Sequence, residues 1–194
     1  LFSVRKVVIT GNRAVPTEAI RSAAAIAPGT PLARVDAAGA AKRLQSLPGV
    51  GRGEVTVALP DTVTIAVSER AIAFVVQQPG GFAWVDPTGA AFSQSATRPA
   101  GVPLARVGLG DQALLADVGT VVGALPAALQ AKVTLLAADS RDSITVQVGE
   151  RTTVVWGSAD DSPLKGQVAG VLYRSEPTCR RIDVSSPATP ATHC

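Results

Sequence analysis

The chain has 194 residues, enough for one large domain or two small ones, and its 46% hydrophobic and 17% charged content excludes the disordered class. A formal charge of +3, with Lys and Arg scattered along the chain, is too small and too dispersed for a nucleic-acid footprint. Aromatic residues make up only 4%, so Val, Ile, Leu and Ala have to build the core.

Residues 4–9 form a β-branched run closed by Gly11-Asn12, which predicts a strand and a turn. Pro16, Thr17 and Glu18 then read as a helix start, with Thr17 as the cap and Glu18 where the helix dipole favours an anion. Ala19, Ile20, Ala23 and Ala24 supply a narrow apolar stripe, and Pro28-Gly29 ends the helix. A second helix starts near Asp36, carries Ala37, Ala40, Ala41, Leu44 and Leu47 on one face, and stops at Pro48-Gly49. Val55, Val57 and Leu59, then Val63, Ile65 and Val67, alternate with polar or small residues around Pro60-Asp61. That pattern predicts an antiparallel hairpin with one buried face.

From Ala71 onward strands dominate: residues 71–77, 82–85 and 90–92, turning at Pro79-Gly80-Gly81 and at Asp86-Pro87-Thr88-Gly89. Residues 95–103 read as a loop, and a helix is expected over 111–124. Strands follow at 133–136, 144–148 and 153–156. Ser162-Pro163 then opens a helix whose Leu164, Val168, Val171 and Leu172 share a face. A final strand is expected over 181–185, with the Pro/Ala/Thr-rich stretch 186–194 irregular. The fold class is therefore α+β. A small β-α-α-β-β domain over residues 1–70 precedes a β-rich domain over 71–194, which has an antiparallel sheet, two or three helices and a C-terminal edge strand.

Few residues offer chemistry. A Ser-His-Asp or Cys-His catalyst needs a histidine held by packed neighbours, and the one histidine, His193, falls in the irregular tail. Asp160-Asp161 precedes a helix, where acidic residues serve its dipole. Cys179 and Cys194, with that one histidine, are too few for a four-ligand zinc site; they either pair as a disulfide or stay free thiols. Leu47-Pro48-Gly49-Val50-Gly51 resembles a helix-hairpin-helix DNA-binding turn. A strand follows it instead of a helix N-terminus, so no phosphate cradle forms. Trp84 and Trp156 read as core more readily than as interface anchors. No catalytic, cofactor-binding or metal residue is assigned, and no small-molecule substrate or nucleic acid is expected.

Several fragments together carry a resemblance. Phe2-Ser3-Val4-Arg5-Lys6-Val7-Val8-Ile9-Thr10-Gly11-Asn12 is similar to the opening strand of a POTRA domain. Val15-Pro16-Thr17-Glu18-Ala19-Ile20, Leu47-Pro48-Gly49-Val50 and the hairpin from Leu59-Pro60-Asp61 to Ser68-Glu69-Arg70 continue the likeness. Trp84-Val85-Asp86-Pro87-Thr88-Gly89-Ala90-Ala91-Phe92 and Ile182-Asp183-Val184 narrow it to the FtsQ/DivIB family of bacterial cell-division proteins, and the Arg-, Ala- and Gly-rich composition suggests an actinobacterial member.

The resemblance implies a non-enzymatic, cofactor-free scaffold. It would be anchored in the cell membrane by a single helix, with this region outside the cytoplasm at the division septum. Its partners would be FtsB/DivIC-type and FtsL-type proteins and other members of the division machinery. The sequence has no Met even at position 1 and no apolar stretch long enough to span a bilayer, so it is expected to be a processed piece with the anchor before Leu1. In the family the partner contact uses the last strand of the β-domain, which here corresponds to Arg181, Ile182, Asp183, Val184 and Ser185, led by Arg180. The family's proteobacterial members have an aromatic residue near that strand's start, where Arg180-Arg181 stands here. A sheet edge also offers unpaired backbone groups on physical grounds, and a proline at Val184 is expected to abolish docking there. The alternative is a POTRA-type periplasmic chaperone or assembly module that binds unfolded or β-strand substrates.

Overall fold

A computed structural model describes residues 2–194; Leu1 lies outside the described residues. The chain divides into two compact units, Leu1–Arg70 and Ala71–Cys194.

The first unit contains β1 (Lys6–Thr10), α1 (Thr17–Ala24), α2 (Ala37–Gln45), β2 (Val50–Ala58) and β3 (Thr62–Glu69). Its sheet has the order β1-β3-β2, with β1 parallel and β2 antiparallel to the central β3. Val63, Ile65 and Val67 on β3 are buried with Val4, Ile20, Ala24, Leu32 and Leu44. The hairpin's other arm departs from the expected buried face. Val55 is half-buried, and Val57 and Leu59 are exposed, Leu59 at 72%. The helices cover only the start of β2, where Gly53 lies so close to Leu44 that a Cβ would stand 2.7 Å from the leucine's own Cβ.

Side-chain-to-backbone bonds hold the helix ends of this unit. The Asp36 carboxylate accepts from Gly39 N at 2.8 Å and caps α2. Pro16 occupies the cap position of α1, and Thr17 instead accepts from the Asn12 amide at 3.1 Å. Arg43 donates to the carbonyls of Ala23 and Ala24, satisfying orphan groups at the C-terminus of α1. Glu69 was not singled out in the sequence. Its carboxylate accepts from the backbone N–H groups of Arg13, Ala14 and Val15 at 2.6–2.8 Å, which fixes the loop after β1.

The second unit contains β4 (Phe74–Gln78), β5 (Gly81–Val85), β6 (Ala91–Ser95), β7 (Leu104–Arg106), α3 (Gln112–Ala124), α4 (Ala127–Gln130), β8 (Val133–Ala138), β9 (Ile144–Val148), β10 (Thr152–Gly157), α5 (Ser162–Ser175), β11 (Arg181–Asp183) and β12 (Ala191–His193). These strands make one nine-stranded sheet in the order β12-β11-β10-β9-β8-β7-β4-β5-β6. The sheet is mixed where an antiparallel one was expected, because β4/β7, β7/β8 and β10/β11 are parallel pairs. Parallel neighbours require long crossovers: β5 and β6 lie between β4 and β7, α3 and α4 between β7 and β8, and α5 between β10 and β11.

One core joins the sheet to both helices. It includes Phe74, Val85, Leu115, Val118, Leu136, Val146, Trp156, Ala169 and Ile182. Gly166 of α5 sits against the Ala124 carbonyl too closely for any side chain, so a glycine there lets α5 meet the end of α3. Asp161 occupies the cap position of α5 without a side-chain cap bond. Ser162, expected as the cap, instead lies inside the helix, donates to the Ala159 carbonyl and accepts from Trp156 Nε1 at 3.0 Å.

Candidate docking edge at the end of the long sheet

The chain leaves β10, crosses as α5 and returns beside β10 as β11. A turn brings it back: Cys179 N donates to the Glu176 carbonyl, and Thr152 Oγ1 donates to the Cys179 carbonyl at 3.1 Å. Thr153 N donates to the Arg180 carbonyl at 2.8 Å, and Val184 N donates to the Val155 carbonyl at 2.9 Å. In a parallel ladder these bonds turn the Arg180 carbonyl and the backbone groups of residues 182 and 184 toward β10, and those of residues 181 and 183 away from it. The Ile182 and Val184 side chains are fully buried in the core, whereas Arg180, Arg181 and Ser185 are exposed.

The outward side of β11 is occupied. β12 pairs with it antiparallel, setting Arg181 opposite His193, Ile182 opposite Thr192 and Asp183 opposite Ala191. Arg180 N also donates to the His193 carbonyl at 3.0 Å. The expectation that β11 is the edge is therefore corrected: it lies inside the sheet, and β12 is the outermost strand on that side among the described residues. The stretch 186–194 is likewise not irregular. A turn in which Thr189 N donates to the Ser186 carbonyl reverses the chain, and a disulfide joins Cys179 to Cys194. A three-residue strand has no readable period, so nothing in the residues of β12 announced it.

The exposed face of this sheet end carries an internal ion pair. Arg181 lies 3.7 Å from the Asp183 carboxylate, which also accepts from Ser185 N at 3.0 Å and Ser185 Oγ at 2.6 Å. Partial burial pushes the Asp183 carboxyl up. The Ser185 bonds and the Arg181 charge outweigh that and hold it below the usual carboxylate range. Arg180 adds a second exposed cation.

Other sequence-selected residues fall elsewhere. His193 is exposed, but its backbone is paired in β12, so it is not a frayed end. Glu176, Cys179 and Cys194 place three donor atoms within 4.8 Å of one another. Because the two sulfurs are bonded to each other, neither offers the thiolate a metal would take. Trp156 is fully buried, while Trp84 is half-buried, edge-on to Phe92 at 6.2 Å, and donates to Ser95 Oγ at 2.8 Å.

Comparison with known proteins resolves what these two units are. Residues 2–70 match the POTRA domain of FtsQ type, and residues 73–185 match the C-terminal domain of cell division protein FtsQ/DivIB. The chain is thus of the class in which a POTRA domain precedes an FtsQ/DivIB-type C-terminal domain. It is 31% identical over 198 residues to a cell division protein FtsQ of Streptomyces griseus, covering 97% of this chain and 95% of that one. A Streptomyces bingchenggensis FtsQ is 32% identical, covering 98% of this chain and 76% of its own. The major extracytoplasmic domain of DivIB from Geobacillus stearothermophilus is 18% identical and covers 57% of this chain and 96% of that chain, with a TM-score of 0.44. The chain belongs to the FtsQ/DivIB family of cell division proteins.

Proposed function

We propose that this chain is the extracytoplasmic part of a non-enzymatic division scaffold. It is held in the cell membrane by a preceding helix and docks FtsB/DivIC-type and FtsL-type partners at the septum through the β11 end of the long sheet. The observation that carries this reading is the backbone of Arg181 and Asp183, turned away from β10 and toward the outside of the sheet. Among the described residues, only the three-residue β12 lies beyond it. A partner strand has to replace β12 there, so of the about 0.5–1.5 kcal/mol that each backbone bond is worth, it gains only the difference from the bonds β12 already makes. That gain is modest, so side-chain contacts have to contribute, and Arg180 and Arg181 suit acidic residues on the partner.

A proline at Val184 tests this poorly, because it also removes the Val184 bond to Val155 inside the sheet. Arg181→Pro is cleaner. The Arg181 N–H points outward, where a proline is tolerated without breaking the ladder to β10. Titration calorimetry with the extracytoplasmic segment of an FtsB/DivIC-type protein is expected to show binding, with and without a dithiol reductant, in at least one thiol state. Arg181→Pro should lose that binding while Arg181→Ala keeps most of it. Full binding by a folded Arg181→Pro chain refutes the site.

A further inference from the structure

We infer that β12 is a built-in occupant of the docking edge and that the Cys179–Cys194 disulfide is its latch, so that opening the disulfide bares the outer backbone of β11 for a partner strand. This rests on the docking reading above and names its regulation. The register uses Ala191 and His193 opposite Asp183 and Arg181, the two residues whose backbone groups face outward. β12 therefore stands where an incoming strand would stand, and both cannot pair at once.

β12 has little else to hold it. Its three residues are exposed, and neither they nor Pro190 contribute to the core. Pro190 gives no N–H, so the outer rim of β12 is a poor substitute platform. By contrast, Cys179 is buried, in a turn tied to β10 through the Thr152 bond. The latch thus joins a fixed point to a loosely held strand. Opening it is a two-electron exchange with a dithiol. The S–S bond breaks, each cysteine sulfur gains one electron and one proton, and the dithiol closes to its own disulfide.

The test uses the full chain, oxidised, reduced with dithiothreitol, and as Cys194→Ser. Amide hydrogen exchange is expected to show Arg181 and Asp183 protected when oxidised, and about tenfold or more faster when the latch is open. Ile182 and Val184, bonded to β10, should stay protected in all three. The FtsB/DivIC-type segment should bind the open forms about tenfold more tightly. Equal protection of Arg181 and Asp183 in every form overturns the latch, whatever the segment does. Tighter binding by the oxidised chain overturns it too, making β12 part of the platform. Release of those amides with no binding by any form overturns the docking reading and leaves the latch standing.

Discussion

At one end of the nine-stranded sheet, β4, β5 and β6 follow one another through short turns; at the other, β11 meets β10 only after the long excursion through α5, and β12 folds back on β11 over residues 184–190. The β5–β6 turn is locally determined. The Asp86 carboxylate accepts from Thr88 N, Thr88 Oγ1 and Ala90 N, all within four residues. β11 instead reaches β10 by way of α5, and β12 reaches β11 only through the Ser186–Thr189 turn and the disulfide. The first end takes its register from its own turns. The second depends on packing and a covalent tie, which leaves it the easier end to rearrange.

That contrast can be pressed at graded strengths. Trp156→Ala should have the largest effect, about 3–5 kcal/mol in a urea melt, because it empties a fully buried site on β10 and strips Ser162 of its indole partner. Hydrogen exchange should then rise at Val154 and Ile182 well before it rises in β4–β6. A uniform rise across the sheet would erase the distinction between the ends. Ser95→Ala removes the acceptor of the half-buried Trp84 indole at the opposite end and should lower stability by only about 1 kcal/mol, since the Asp86 turn keeps the register. A loss several times larger would show that end to be no better fixed than the other.

The smallest effect concerns pH. Asp183 is held below the usual carboxylate range, so its contribution is present above about pH 4, the unfolded-chain value, and is lost as pH falls through the folded value. Asp183→Asn should therefore be less stable than the parent near neutrality and converge with it in acid. Parallel stability curves for the two chains would remove the assigned role of the Ser185 and Arg181 contacts.

The same contrast governs how far residues alone carried the reading. Val63, Ile65 and Val67 and the Asp36 cap were legible because period and capping are local, and β4 to β6 followed from their Gly- and Pro-bearing turns. Leu104–Arg106 escaped because three residues show no alternation, and the parallel pairing on both its sides has no local signal. Glu69 had no local signal beyond the hairpin's likeness, because its partners lie more than fifty residues earlier in the chain. At the candidate site, Ile182 and Val184 announced a strand, and the resemblance pointed to its residues. Whether its outer side was open turned on a pairing between Cys179 and Cys194 that spacing left undecided.

The parallel pairing of β1 with β3 has a mechanical consequence. Both strands start at the same end of the small sheet, Lys6 beside Thr62 and Thr10 beside Ala66. Tension applied before Lys6 and after Glu69 therefore pulls the two strands lengthwise in opposite directions. It loads every rung between them together in shear, instead of peeling them apart one by one. A unit wired this way resists stretching between its two chain ends.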